Sequence, residues 1–298
     1  MIFRSVLFAV VALALYAAYI NYGNSAPVAQ HQWQKNIIRT QDYVYSDSLR
    51  KCDVILGTSL TDKVNADSLP AGVYMLTYPG FSVWDGFEIV RQGNGHPKYM
   101  FVEQNAILKP ATPNFEDYIF NELNYYSKKH VPILQDAYQP VGQVAGYINL
   151  HAEPRIQLFS DYLFNPVLRV FQGDTIKTID ETAHYAEMKR LRNAVDPVMV
   201  KEMFTKLKKE VDWFQKRGTK VYFYGTPVHQ EVYSNDQSQA IRAAFAQYLP
   251  AGQYHYLPDV DIAQYETIRD QIHLSGKSAR EYTKVFAEQI NGARQNKY

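Results

Sequence analysis

In the stretch Asp53-Val54-Ile55-Leu56-Gly57-Thr58-Ser59-Leu60-Thr61, an apolar run stops abruptly at a glycine and two hydroxyl residues. A short apolar run bounded by turn residues reads as a buried strand, here over 53–57. The serine that follows has two readings. It is either a side chain presented at a strand end or the cap of a following helix. Serine alone does not decide, so its partners must be sought along the rest of the chain.

Outward from this stretch, strand and helix patterns alternate. Residues 73–78, VYMLTY, read as a second strand, stopped by Pro79-Gly80. Ser82-x-x-Asp85 then matches a capping pattern and opens a helix through WDGFEIVRQ. A third strand is predicted over 99–104, YMFVEQ, ending at Asn105, and a helix over 114–129. Regularity returns at Pro197 with a long amphipathic helix over 197–217. Its apolar positions are Val200, Met203, Leu207, Val211 and Phe214. A fourth strand at 220–226, a helix at 236–248, a weaker strand at 254–258 and a last helix over about 275–290 complete the pattern. Such alternation implies an α/β fold: a three-layer, flavodoxin-like sandwich around a mainly parallel five-stranded sheet. Sheets of this kind place ligands outside the carboxyl ends of their strands. Ser59, Gly80, Asn105 and Pro227 all follow predicted strand ends.

The chain has 298 residues with a net charge of +1, from 31 Lys+Arg against 30 Asp+Glu. No basic field argues for nucleic acid as a partner. The single cysteine, Cys52, excludes an intrachain disulfide framework and a cysteine-based zinc site, and it reads as a small buried residue. The eight histidines show no metal-ligand spacing, and no phosphate-loop glycine pattern is present, so neither a metal nor another cofactor is expected. The 24 tyrosines and 15 phenylalanines read mainly as core.

The amino terminus is different. Val6–Ile20 carries no charge and no strong helix breaker, and the preceding apolar residues extend it. Neither Ala18 nor Ala26 has a small residue three positions before the cut that a signal peptidase would make. Residues 1–22 therefore read as an uncleaved anchor helix. Arg4 precedes the segment and Lys35 is the first basic residue after it. The positive-inside bias then puts the remainder outside the cytoplasm, in the periplasm or at the cell exterior. Residues 23–50 read as a stalk or entry segment. Residues 51–298 read as the main domain, with an insertion or cap at about 130–195 where the periodicity loosens.

The stretch Asp270-Gln271-Ile272-His273-Leu274, before the last helix, holds the local pair that a reactive serine needs. An acid three residues before a histidine orients the imidazole, so that the other ring nitrogen faces out as a base. A serine hydroxyl requires such a base. An oxyanion requires donors: the Ser59 N–H, the Gly80 N–H and the Asn105 amide are the candidates. His229, after strand four, is a candidate substrate contact.

These blocks, ILGTSLT, LTYPGFS, VEQNAI and DQIHLSG, together resemble the SGNH (GDSL-like) hydrolase superfamily over roughly residues 50–110 and 197–292. Two positions depart from the family pattern. Thr58 stands where the family has an acid before the serine, and Asn105 lies in EQNAI in place of the common Gly-x-Asn-Asp. The resemblance implies Ser59, Asp270 and His273 as catalytic residues. With the anchor helix, it is similar to the extracytoplasmic members that act in alginate O-acetylation and D-alanyl transfer. It implies a serine O-acyltransferase moving an acyl group from an acylated donor to a polysaccharide or other glycan, beside a separate multi-spanning membrane acyltransferase. A carbohydrate esterase and a non-catalytic scaffold subunit are the alternatives.

Overall fold

In the computed structural model, residues 2–23, 32–140, 142–143 and 195–298 are described. Of the expected insertion at about 130–195, residue 141 and residues 144–194 lie outside them. The chain divides into two compact units, residues 1–45 with 117–178 and residues 46–116 with 179–298.

In the first unit, α1 (Ile2–Tyr22) is 21 residues long and apolar enough to cross a membrane. It is followed by α2 (Gln32–Tyr45). Later in the chain come α4 (Phe115–Phe120), which begins just before the unit boundary, and α5 (Glu122–His130). Asp136, almost fully buried, ties α2 to α5. Its carboxylate accepts from Gln41 Nε2 at 2.6 Å, from Tyr118 at 2.9 Å and from Lys128 Nζ at 2.6 Å. The helix predicted over 114–129 is thus two helices. Asn121 breaks it by leaving helical geometry and capping the second helix, its side chain accepting from Asn124 N.

The second unit is built on five parallel strands: β1 (Asp53–Thr58), β2 (Val73–Tyr78), β3 (Tyr99–Glu103), β4 (Lys220–Tyr224) and β5 (His255–Tyr256). Their order is β2-β1-β3-β4-β5, and every pair is parallel. This is the flavodoxin-like order, whose switch point lies between β1 and β3. Near-continuous apolar runs such as Val54-Ile55-Leu56 suit strands buried on both faces.

On one face, Ile55, Phe101, Tyr222 and Tyr224 pack against Tyr282, Phe286 and Ile290 of α9 (Gly276–Arg294). Helices α3 (Val83–Gln92), α6 (Pro197–Gln215) and α8 (Asp236–Tyr248) cover the other face. There the ring centroids of Phe87 and Phe214 are 5.8 Å apart, and those of Phe223 and Phe245 are 5.0 Å apart. Many of the aromatics are core, Trp84, Tyr78 and Phe101 being fully buried, whereas Tyr126 and Tyr233 are exposed. Cys52 is only half-buried, because it precedes the sheet and its thiol reaches Ser48 O at 3.6 Å.

The Ser82–Asp85 capping box forms as its sequence predicts, with Ser82 N donating to Asp85 Oδ2 at 2.8 Å. The last helix runs past its predicted end to Arg294. Ala293 is fully buried there, and Arg294 Nε donates to Asp53 Oδ2 at 2.7 Å, fastening the helix end to the start of β1. No α-helix follows Ser59. The chain makes only a three-residue 3₁₀ turn, Thr61–Lys63, with Leu60 as its N-cap residue. The helix-cap reading of Ser59 is therefore corrected: the N-cap position of this turn is held by Leu60.

Candidate functional site

Ser59, Gly80 and Asn105 leave the carboxyl ends of β1, β2 and β3, so the sheet order alone gathers them at one edge. The segment 267–274 brings the fourth part. Thr267 and Leu274 form an antiparallel bridge, and Ile268 N donates to His273 O at 2.8 Å, closing a tight loop. Gln271 takes a φ of +63° within it, the left-handed region that side chains rarely adopt. His229 N donates to Gln271 O at 2.9 Å and holds this turn from outside.

Inside the loop, Asp270 Oδ1 accepts from the backbone N–H groups of Ile272 at 3.0 Å and His273 at 2.9 Å. Its other oxygen lies 2.7 Å from His273 Nδ1. Partial burial works to raise the Asp270 pKa. The hydrogen bonds from the His273 N–H, the His273 ring and the Ile272 N–H outweigh it and hold the carboxyl below its ordinary value. With Nδ1–H donating to Asp270, His273 Nε2 accepts from the Ser59 hydroxyl at 2.8 Å. The Ser59–His273–Asp270 chain of hydrogen bonds is complete, although the first two residues are 214 positions apart.

Gly80 has a φ of +78°, which explains the glycine: a Cβ is strained in that geometry. Its carbonyl accepts from Lys109 Nζ at 2.7 Å. Asn105 is clamped to the backbone after β4. It accepts from Thr226 N at 2.8 Å and donates from Nδ2 to Thr226 O at 2.9 Å. An amide NH₂ carries two donors, so one remains for a ligand.

Thr58, Ser59, Gly80, Asn105 and His273 share the wall of a cavity of about 360 Å³. Its apolar wall includes Leu60, Phe81, Leu108, Met199, Val228 and Ile272. This is within the usual size of a small-molecule site. His229 is not part of that wall. It is exposed at the start of α7 (Gln230–Tyr233), where Nδ1 accepts from Glu231 N at 3.3 Å. Among the described residues, no group of three or more His, Cys, Asp or Glu side chains is placed to hold a metal.

Sequence reading missed the floor of the site. Glu103, the last residue of β3, is fully buried beneath the Thr58–Thr61 turn. Its carboxylate accepts from Thr58 N at 2.8 Å, Thr58 Oγ1 at 2.9 Å and Thr61 Oγ1 at 2.6 Å. Thr61 Oγ1 is also 2.8 Å from the buried Tyr224 hydroxyl. Burial raises the Glu103 pKa, against the pull of these hydrogen bonds. The signal was a charged residue closing an otherwise apolar strand.

Compared with protein-family models and with curated proteins, the chain matches none.

Proposed function

We propose that this protein is a membrane-anchored serine acyl-transfer enzyme of SGNH type, acting on a cell-surface or exported polysaccharide. The observation that carries this reading is the Ser59–His273–Asp270 hydrogen-bond chain, whose Ser59 and His273 line a cavity beside the sheet's switch point.

In the first step His273 Nε2 takes the Ser59 proton as Oγ attacks the donor's ester carbonyl, and Asp270 stabilises the imidazolium. The carbonyl oxygen becomes an oxyanion held by the Ser59 N–H, the Gly80 N–H and the free Asn105 amide donor. As the tetrahedral intermediate collapses, the donor alcohol leaves with the proton from His273, and an acyl-Ser59 ester remains. In the second step His273 deprotonates a sugar hydroxyl, which takes the acyl group and restores Ser59. Water in place of the sugar makes the same machinery an esterase. The α1 helix anchors the chain, with the second unit on the extracytoplasmic side and a multi-spanning acyltransferase as the donor's source.

The test compares the wild type with Ser59→Ala and His273→Ala, using a chromogenic acetyl ester and a glycan-acetylation assay. Loss of turnover in both variants is expected. Full activity in both would sink the catalytic reading, and a wild type without ester turnover whose variants still support glycan acetylation in full would leave a scaffold subunit. Acetate release without an acceptor identifies an esterase, whereas acceptor-dependent acetylation identifies a transferase. Orientation is tested by protease protection in intact cells: the domain is expected to be cleaved from outside.

A further inference from the structure

One buried ionisable group beside the site has no part in those steps. Glu103 is wholly enclosed, and its hydrogen-bond partners are neutral: the Thr58 N–H and the hydroxyls of Thr58 and Thr61. A carboxylate without a cationic partner is costly to bury unless donors meet its oxygens, and here the Thr58 N–H and two threonine hydroxyls do so. The donors come from residues 58 and 61, which flank Ser59. The network continues from Thr61 to the Tyr224 and Thr226 hydroxyls, at 2.8 and 3.2 Å. One side chain thereby fastens the turn after β1 to β3, and through Thr61 to β4. Gly57 is required for this approach, since a Cβ there would lie 3.0 Å from Glu103 Oε2 and 2.7 Å from Thr61 Cβ.

We propose that Glu103 is the positioning residue for Ser59. It holds residues 58 and 61 from below, so that the Ser59 hydroxyl stays on His273 Nε2. The inference rests on the acyl-transfer reading. It also resolves the departure at position 58: an acid is absent before the serine in sequence, yet one stands against that residue in space. Glu103 acts through the backbone of its neighbours. A displacement of about 1 Å at a reacting atom is enough to cost about 100-fold in rate.

The test uses the full chain in detergent with an alkyl fluorophosphonate, which labels a base-activated serine, and with a chromogenic acetyl ester. Four proteins are compared: wild type, Glu103→Gln, Glu103→Leu and Thr58→Val. Glutamine keeps one acceptor oxygen and the shape, so labelling of Ser59 is expected to slow about tenfold. Leucine leaves the Thr58 and Thr61 donors without an acceptor, and the expected slowing is about 100-fold, the cost of a 1 Å misplacement. Thr58→Val, which removes one hydroxyl only, is expected to resemble Glu103→Gln. In the two Glu103 variants, kcat falls while KM stays within about twofold, because the groups lining the cavity are unchanged. If the wild type is labelled at Ser59 and the folded variants react at its rate, the positioning role is overturned and the acyl-transfer reading stands. If wild-type Ser59 is not labelled, both fall. If Glu103→Leu does not fold, Glu103→Gln and Thr58→Val decide: wild-type rates in both overturn the proposal.

Discussion

Asn105 and Thr226 exchange two hydrogen bonds, one at 2.8 Å into the Asn105 carbonyl oxygen and one at 2.9 Å from its amide nitrogen. The pair joins the carboxyl ends of β3 and β4 and fixes the plane of the amide beside Ser59. Asn105→Ala removes both bonds and the spare donor. Stability is expected to fall by about 1–3 kcal/mol, since the Thr226 backbone loses its partners. A drop in kcat of about 100-fold is expected, typical for loss of an oxyanion donor. Asn105→Asp keeps the acceptor for Thr226 N and loses the donor. Chemical denaturation and ester turnover, measured on both variants, separate the two roles.

Asp270 makes two backbone bonds as well as its contact with His273. Asp270→Asn keeps the shape of the loop but no longer favours the tautomer in which Nδ1–H donates. Ester turnover is expected to fall by about 10³–10⁴-fold, as in triads of this kind. Circular dichroism is expected to stay at its wild-type form. A variant with more than a tenth of wild-type turnover would remove Asp270 from the mechanism.

The two site carboxyls predict opposite pH effects on stability. Glu103 is raised in the folded protein, chiefly by burial. Between the unfolded-chain value, about 4.3, and its higher folded value, the folded state binds more protons, so its contribution is lost as pH rises through the folded value. Asp270 is lowered, so its contribution is present above the ordinary aspartate value and is lost as pH falls through the folded value. Glu103→Gln abolishes the first effect only. The melting-temperature gap between wild type and this variant is expected to be widest at acid pH and to narrow as pH rises. A gap that widens with pH would reverse the assignment.

Gly57→Ala tests the close packing of the floor. The new methyl would meet Thr61 Cβ at 2.7 Å and Thr61 Oγ1 at 2.8 Å in fully buried surroundings. Overpacking of this kind costs about 1–3 kcal/mol. The displaced Thr61 would loosen Glu103, so Ser59 labelling is expected to slow as well. A lower melting point with unchanged labelling would mean that the floor is structural only.

Features that depend on near neighbours along the chain were legible before the fold was known. Apolar runs ending at Gly, Pro or Asn placed the strands. The Ser82–Asp85 box and the Asp270–His273 pair were readable because each spans three residues, and a side chain reaches that far along its own backbone. Because each follows a predicted strand end, the parallel-sheet pattern then put Ser59, Gly80 and Asn105 at one sheet edge. The tertiary structure alone decided what crosses the sheet. It joined Ser59 to His273, gave Asn105 its partner in Thr226, and put Glu103 under Thr58, where no spacing rule leads. It also removed the helix after Ser59 and left His229 as a cap outside the cavity. Contacts between strands depend on sheet order and register, which bring residues 45 to 214 positions apart within hydrogen-bond reach. That information is held in the packing of both sheet faces, not in any single stretch of the chain.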